Sequence, residues 1–173
     1  SAVRQSRIGE ADALIQRLER SHDGGPGRRV DVVLLRNEWL GQTDRLVEVV
    51  PRSERTLVHV DGCEPEATIL RLALATEYRR NGRHTDAMAL LERVAETLQV
   101  HDWPGLEGRW QATRCAFPAP GESLEEQVGW LRQGIERLRE VGDHSRVVVL
   151  LNNLGSRLLA LGRLEEAEQV FAE

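Results

Sequence analysis

The feature that most constrains this chain is a spacing of about 40 residues between glycines that follow helical patterns. Gly41, Gly82 and Gly162 are separated by 41 (82 − 41) and 80 (162 − 82) residues, and 80 is twice 40. The position missing between them falls at Gly121 and Glu122. A recurring spacing of this length indicates repeated supersecondary units that stack on one another.

Residues 150–171 show one such unit most clearly. A helical face is predicted by leucines at steps of three and four, namely Leu151, Leu154, Leu158 and Leu161. Gly162 predicts a tight turn, after which Ala167 and Phe171 share one face of a return helix. Gly155 lies inside the first helix, where glycine costs about 1 kcal/mol relative to alanine. We therefore expect another helix to pack against Gly155 too closely for a side chain.

This stretch resembles the tetratricopeptide repeat, a helix-turn-helix unit of about 34 residues. The family's consensus positions are matched by Leu151, Leu154, Gly155, Leu158, Gly162, Ala167 and Phe171. Leucine stands at the first of them, where the family usually has tryptophan or tyrosine. The period of about 40 residues in this chain is longer than 34 residues. It is similar to the period of the repeats in kinesin light chains and in the helical arms of bacterial multidomain regulators.

The resemblance implies an all-α fold, a right-handed α-α superhelix of antiparallel helix hairpins. Approximate repeats cover 28–60, 65–100, 104–141 and 143–173, the last one truncated, and a helix at 2–20 precedes or caps them. We expect a single domain over 1–173 that is a fragment of a longer protein, since the last helical pattern runs to Glu173. The structural positions of the repeats are Leu74, Ala75, Tyr78, Gly82, Ala87, Leu91, Leu154, Gly155, Leu158, Gly162, Ala167 and Phe171.

Two local patterns lead to different expectations. At 43–60 the spacing of apolar residues favours a helix that Pro51 kinks or divides, although a short strand over 56–60 or an irregular segment stays open. Ser123 and Glu126 form a capping box, which predicts a helix that begins at Leu124.

Composition excludes several classes of function. Hydrophobic residues make up 40% of the chain and charged residues 29%, with a net charge of −5. No extended basic stripe is present, so we expect no direct contact with nucleic acid. No apolar run reaches the roughly 20 residues of a membrane helix. These observations favour a cytoplasmic protein in which Cys63 and Cys115 are reduced thiols.

Catalysis and metal binding find no support in the sequence. The five histidines and two cysteines show no metal-ligand spacing, and the motifs of serine hydrolases and zinc proteases are absent. We expect no enzyme, no cofactor and no metal.

Candidate binding residues follow from the resemblance. In this family, ligands lie in a concave groove lined by the first helix of each hairpin. The matching positions here are Leu72, Thr76, Arg79, Arg109, Asn152, Asn153 and Ser156. Asn153 stands before a Leu-Gly pair, as does an asparagine that holds peptide backbones in some members.

A basic cluster and the tryptophans each allow two interpretations. Arg79, Arg80, Arg83 and His84 either complement a helix dipole and pair with acids or anchor an acidic peptide. Trp39, Trp103, Trp110 and Trp130 are either core at repeat interfaces or exposed binding anchors.

The sequence thus predicts a non-catalytic scaffold for protein–protein interaction, or a regulatory arm, in a larger bacterial signalling or transcription-regulatory protein. The alternative is a receptor that binds a peptide or small effector in the concave groove. The partner is a protein or peptide in either case.

Overall fold

The computed structural model describes residues 2–20, 25–42, 45–115, 117 and 121–173, with the backbone alone for 2–9 and 42. This part of the chain contains nine α-helices and no strand. The helices are α1 (Ala2–Arg20), α2 (Pro26–Gln42), α3 (Val49–Val60), α4 (Glu66–Arg80), α5 (His84–Leu98), α6 (Pro104–Arg114), α7 (Leu124–Glu140), α8 (His144–Ala160) and α9 (Leu164–Ala172). The predicted all-α fold class is confirmed.

The helices form two compact units, Ser1–Gly82 with α1 to α4 and Arg83–Glu173 with α5 to α9. The boundary between the units falls inside the predicted repeat 65–100, so α4 and α5 belong to different units. That all repeats join in a single domain stays a prediction.

Left-handed glycines end several of the helices. Gly62, Gly82, Gly142 and Gly162 have φ between +70° and +83°, a conformation that costs glycine little because it has no Cβ. Gly142 and Gly162 are 20 residues apart, which is half of the 40-residue repeat. This spacing arises because each of the two helices in a hairpin ends in a turn. Gly121 also has a positive φ of +88°. The turn predicted at Gly41 is wrong, since α2 continues through Gly41 to Gln42.

The segment before α4 is helical. A single 3₁₀ turn at Leu46–Glu48 leads into α3, so the strand interpretation of 56–60 is wrong, while 43 and 44 lie outside the described residues. Pro51 does not kink α3, because it lies in the first turn of the helix, where its missing N–H would have no partner.

The first unit combines a small apolar core with buried ion pairs. The core consists of Val30, Val33, Val60, Ala67 and Leu70. The guanidinium of Arg36, 5% exposed, pairs with Asp12 and Glu19. That of Arg71, 2% exposed, pairs with Asp61 and Glu64. Each buried charge is therefore matched by two carboxylates from other turns of the chain.

In the second unit α6, α7, α8 and α9 pack one against the next. Their shared core is formed by Cys115, Val128, Leu131, Ile135, Leu138, Val147, Leu150, Leu151, Leu154, Leu158 and Ala167. The capping box is confirmed: the Glu126 N–H donates to Ser123 Oγ (3.2 Å), and the Ser123 N–H donates to Glu126 Oε2 (2.7 Å).

Candidate binding groove

Helix α6 presents different chemistry on its opposite faces. Successive residues of an α-helix are rotated by about 100°, so Glu107 and Arg109 point about 200° apart. Gly108, between them, faces α7, where the side chain of Leu138 would meet a Cβ at 2.7 Å. Arg109 and Glu107 therefore lie on opposite sides of the face of α6 that contacts α7. That Arg109 lines a groove stays a prediction.

Arg109 is the most perturbed arginine of the second unit. The pKa of its guanidinium is lowered to about 10, first by burial and then by the like charge of Arg146, against the opposing charge of the Asp143 carboxylate. No hydrogen bond or ion pair joins Arg109 to a carboxylate within the described residues. A guanidinium that is partly desolvated and lacks a direct anionic partner is suited to receive one from a ligand.

Helix α8 contributes a neighbouring row of side chains. Arg146, Val149, Asn153 and Ser156 follow one another at steps of three or four, and so share one face of the helix. The charge of Arg146 lowers the pKa of Arg109, which indicates that the beginning of this row lies close to α6. Val149 is 57% exposed, which leaves an apolar surface beside the polar groups.

The hydrogen-bonding capacity of the α8 residues differs. Ser156 Oγ donates to the carbonyl of Asn152 (2.9 Å) and is partly occupied by its own helix. Neither side-chain amide of Asn152 and Asn153 makes a hydrogen bond in the described part of the chain. These two amides remain available to a partner.

In the first unit, the predicted groove residues are less available. Leu72 is 3% exposed and belongs to the core. Thr76 Oγ1 donates to the Leu72 carbonyl (3.2 Å). Arg79 is exposed and makes no ion pair among the described residues.

The basic cluster is largely paired within its own helices. Arg80 pairs with Glu77 at 2.7 Å, and Arg83 pairs with Asp86 at 2.6 Å. Of the three arginines, Arg79 is the one available to an acidic ligand.

Comparison with known proteins bears on these observations. The family model described as "Tetratricopeptide repeat" matches residues 147–173, which span α8 and α9. The crystal structure of PlcR from Bacillus thuringiensis in its apo form superposes with a TM-score of 0.72 over 98% of this chain, at 15% identity. The chain is tetratricopeptide-like. The resemblance inferred from the sequence is thereby confirmed.

The similarity to PlcR covers only part of that protein. This chain corresponds to 66% of the PlcR chain, so the activity and partners of the whole protein are matters for proposal. No curated protein matches the sequence. Tetratricopeptide-like repeats in general bind proteins or peptides and are non-catalytic, and both similarities fit a protein-interaction or regulatory helical domain.

The tetratricopeptide-like positions lie where repeats need small or apolar groups. Buried side chains are found at Leu74, Ala75, Tyr78, Ala87, Leu91, Leu154, Leu158 and Ala167. Gly82 and Gly162 form left-handed turns. Phe171 is 50% exposed, and its ring lies directly over Gly155, where Cε1 would be 2.5 Å from an added Cβ.

Trp110 and Trp130 pack inside the second unit. Their ring centroids are 5.4 Å apart, and the Trp110 indole N–H donates to the Leu91 carbonyl (2.9 Å). Trp103 stacks on His101, with centroids 4.3 Å apart and planes within 5°. These contacts favour a packing role over a role as groove anchors.

Three features were not predicted from the sequence: Gly108 and Gly134, the contact between α6 and α7, and the position of Arg146 beside Arg109. A glycine inside a helix is the only sequence signal for the first two. The partner of Gly155 was expected because the leucine spacing around it was regular, which is not so in α6.

The described residues offer no group of three or more histidine, cysteine, aspartate or glutamate side chains arranged to hold a metal ion. None of the described helices combines the length and apolar character needed to cross a membrane. Cys63 and Cys115 are free thiols. Burial, followed by the charge of Glu122, raises the pKa of Cys115 to about 11, which favours the protonated thiol at neutral pH.

Proposed function

We propose that this chain is a non-catalytic interaction module, the regulatory arm or scaffold of a larger bacterial cytoplasmic signalling or transcription-regulatory protein. It binds a protein or peptide segment across α6 and α8 in the second unit. The tetratricopeptide match over α8 and α9 supports an interaction role. The signalling context and the cellular location belong to the proposal.

The observation that carries the proposal is the state of Arg109. Its burial disfavours the charged guanidinium, as does the nearby Arg146, and the charge of Asp143 offsets these effects only in part. No carboxylate forms a hydrogen bond or ion pair with Arg109 in the described chain. Folding alone gains little from such a group, because an unpaired, partly buried charge costs free energy. A carboxylate of the partner, from an aspartate, a glutamate or a chain terminus, would supply the missing ion pair.

The row on α8 suits an extended backbone. The amide of Asn153 can donate to a carbonyl and accept from an N–H of the bound segment. Val149, beside it, offers apolar contact to a side chain of the same segment. The ligand class that fits best is therefore an extended acidic peptide segment with an apolar residue near its carboxylate.

The proposal is tested with arrayed 12-residue peptides of varied charge, followed by calorimetric titration of the best binders. We expect acidic peptides to be selected, and Arg109→Gln to weaken them about tenfold, the loss of one charge-assisted pair. Asn153→Asp should weaken them too, because it removes a donor and adds a like charge.

The matched control is Arg132→Gln, which removes an exposed arginine of α7 that pairs with Glu166 (2.9 Å). It should leave affinity unchanged, and circular dichroism should show every variant folded. Equal weakening by Arg109→Gln and Arg132→Gln would reject the site in favour of general charge attraction.

A second candidate is a receptor for a small anionic effector, favoured by the proximity of Arg109 and Arg146. Two neighbouring guanidinium groups suit a dianion, which would compete with Asp143, the ion-pair partner of Arg146. Binding of free dicarboxylates or phosphates with the affinity of the peptides would support the receptor. Capture of a folded protein without binding of any short peptide would support the scaffold.

A further inference from the structure

A second candidate surface lies on the side of α6 that faces away from Arg109. Here the C-terminal end of α5, the connection 99–103 and the beginning of α6 enclose an open cavity of about 550 Å³. This volume is within the usual range of ligand pockets, about 300–1,000 Å³. The proposed groove makes no use of it.

One wall of the cavity is apolar. Ala95, Leu98 and Trp110 line it, and Val100, 76% exposed, stands at its rim. An exposed valine next to a half-buried tryptophan leaves apolar area uncovered. The indole N–H of Trp110 already donates to the Leu91 carbonyl, so the ring is held in place and offers its carbon surface.

The other wall is acidic. Asp102 and Glu107 line the cavity, and the lining residues, all within the described chain, include His101 but no arginine. Glu107 pairs with Arg137 at 3.3 Å, but Arg137 is shared with Glu140, also at 3.3 Å. Asp102 makes no hydrogen bond or ion pair among the described residues, so three carboxylates surround one arginine and negative charge is in excess.

Contacts of Trp103 order the end of the connection that carries Asp102. Trp103 stacks on His101, and its carbonyl accepts from the N–H groups of Leu106 and Glu107, both at 2.9 Å. Pro104 then begins α6. Little conformational entropy would be lost when a ligand binds at this rim, which favours a preformed site.

We propose that the cavity between α5 and α6 is a docking site for an arginine or lysine side chain of a protein partner. Its alkyl stem would lie on Leu98, Val100 and Trp110, and its cationic end would reach Asp102 and Glu107. The arrangement follows the amphipathic character of these side chains, which cover apolar surface while the charge meets an acid. The site is separate from the proposed groove, so either can fail without the other.

The test uses two probes that differ by a single charged group, acetyl-Leu-Arg-amide and its citrulline analogue. Citrulline has the shape of arginine without the charge. We expect ¹H–¹⁵N NMR titration of the full chain to give saturable shifts at the Trp110 indole N–H and the Val100 amide with the arginine probe. The citrulline probe should bind about fivefold more weakly.

Two pairs of variants separate this site from general surface attraction. Asp102→Asn should weaken the arginine probe about threefold, whereas Glu136→Gln, which removes an exposed carboxylate of α7, should not. Val100→Ser should weaken it as well, whereas Val148→Ser, at a valine of α8 that is 65% exposed, should not. All four positions are exposed, so the variants should fold.

The proposal is overturned if the two probes bind equally, or if no saturable shift appears at Trp110 and Val100. Equal effects of Asp102→Asn and Glu136→Gln would also overturn it, because the attraction would then belong to the acidic surface as a whole.

Discussion

Gly108 of α6 lies directly against the backbone of α7 at Gly134. A Cβ at Gly108 would lie 3.1 Å from the carbonyl oxygen of Gly134 and 2.7 Å from Cγ of the fully buried Leu138. Neither a backbone oxygen nor a buried leucine can move away easily. The contact holds α6 in place, and α6 carries both candidate surfaces on its other sides.

Gly108→Ala should therefore destabilise the second unit by up to about 2 kcal/mol. Overpacking costs about 1–3 kcal/mol, and the gain in helix propensity, about 1 kcal/mol, offsets part of it. The control is Gly129→Ala in α7, where an added Cβ has no neighbour within 4 Å. That variant should be more stable by about 0.5–1 kcal/mol, and urea unfolding measures both. Equal effects of the two substitutions would contradict the close approach.

A second glycine contact couples α8 to α9. Gly155→Ala would place a methyl group in the volume of the Phe171 ring, but this ring is half-exposed and can turn away. We expect Gly155→Ala to cause a small loss of stability in the wild type. In a Phe171→Ala background, the same substitution should change the free energy of unfolding more favourably, by about 1 kcal/mol. A double-mutant cycle measures this coupling. A coupling near zero would show that the ring does not rest on Gly155.

Removal of two arginine charges should have opposite effects on stability. Arg109→Met should leave the free energy of unfolding unchanged or raise it by about 1 kcal/mol, because no ion pair is lost. Arg36→Met should lower it by about 2–3 kcal/mol, since Asp12 and Glu19 lose their shared partner. Thermal unfolding of both variants provides the measurement. A large loss on Arg109→Met would mean that Arg109 stabilises the fold rather than awaiting a ligand.

Glu64 should make the first unit sensitive to acid. Burial raises the pKa of its carboxyl, but hydrogen bonds from Thr68 and Arg71 and the charge of Arg71 outweigh burial, so the pKa is lowered from 4.5. The folded state therefore favours the ionised form. This stabilisation is complete above pH 4.5 and is lost as the pH falls through the lowered pKa.

Glu64→Gln should be less stable at pH 7 by about 2 kcal/mol, and its stability should fall less steeply below pH 4.5 than that of the wild type. The control is Glu38→Gln, at an exposed carboxylate of α2, which should keep the wild-type acid dependence. Chemical unfolding at pH 3 to 7 provides the comparison. Parallel curves for Glu64→Gln and the wild type would contradict the role of Glu64.

Features that depend on neighbouring residues in the chain were predictable from sequence. The capping box at Ser123 and Glu126, the turn at Gly162 and the leucine face of α8 all involve residues a few positions apart. The two wrong predictions in this class, a turn at Gly41 and a kink at Pro51, also concern local structure. Gly41 stays helical because glycine permits a left-handed turn without requiring one, and α3 begins early enough to place Pro51 in its first turn.

The sequence by itself determined the all-α class, the positions of most helices and the tetratricopeptide-like repeat over α8 and α9, because helix caps, left-handed glycines and apolar periodicity act over a few residues. Only the tertiary structure decided which arginines form ion pairs: Arg36 and Arg71 bind carboxylates from other turns of the chain, whereas Arg109 makes no such bond and is acted on by Asp143 through charge alone. It also decided that Gly108 meets Gly134 and that Asp102 and Glu107 line a cavity whose other wall is apolar. Contacts of this kind join residues distant in sequence, and their distances and burial are set by packing rather than by local spacing.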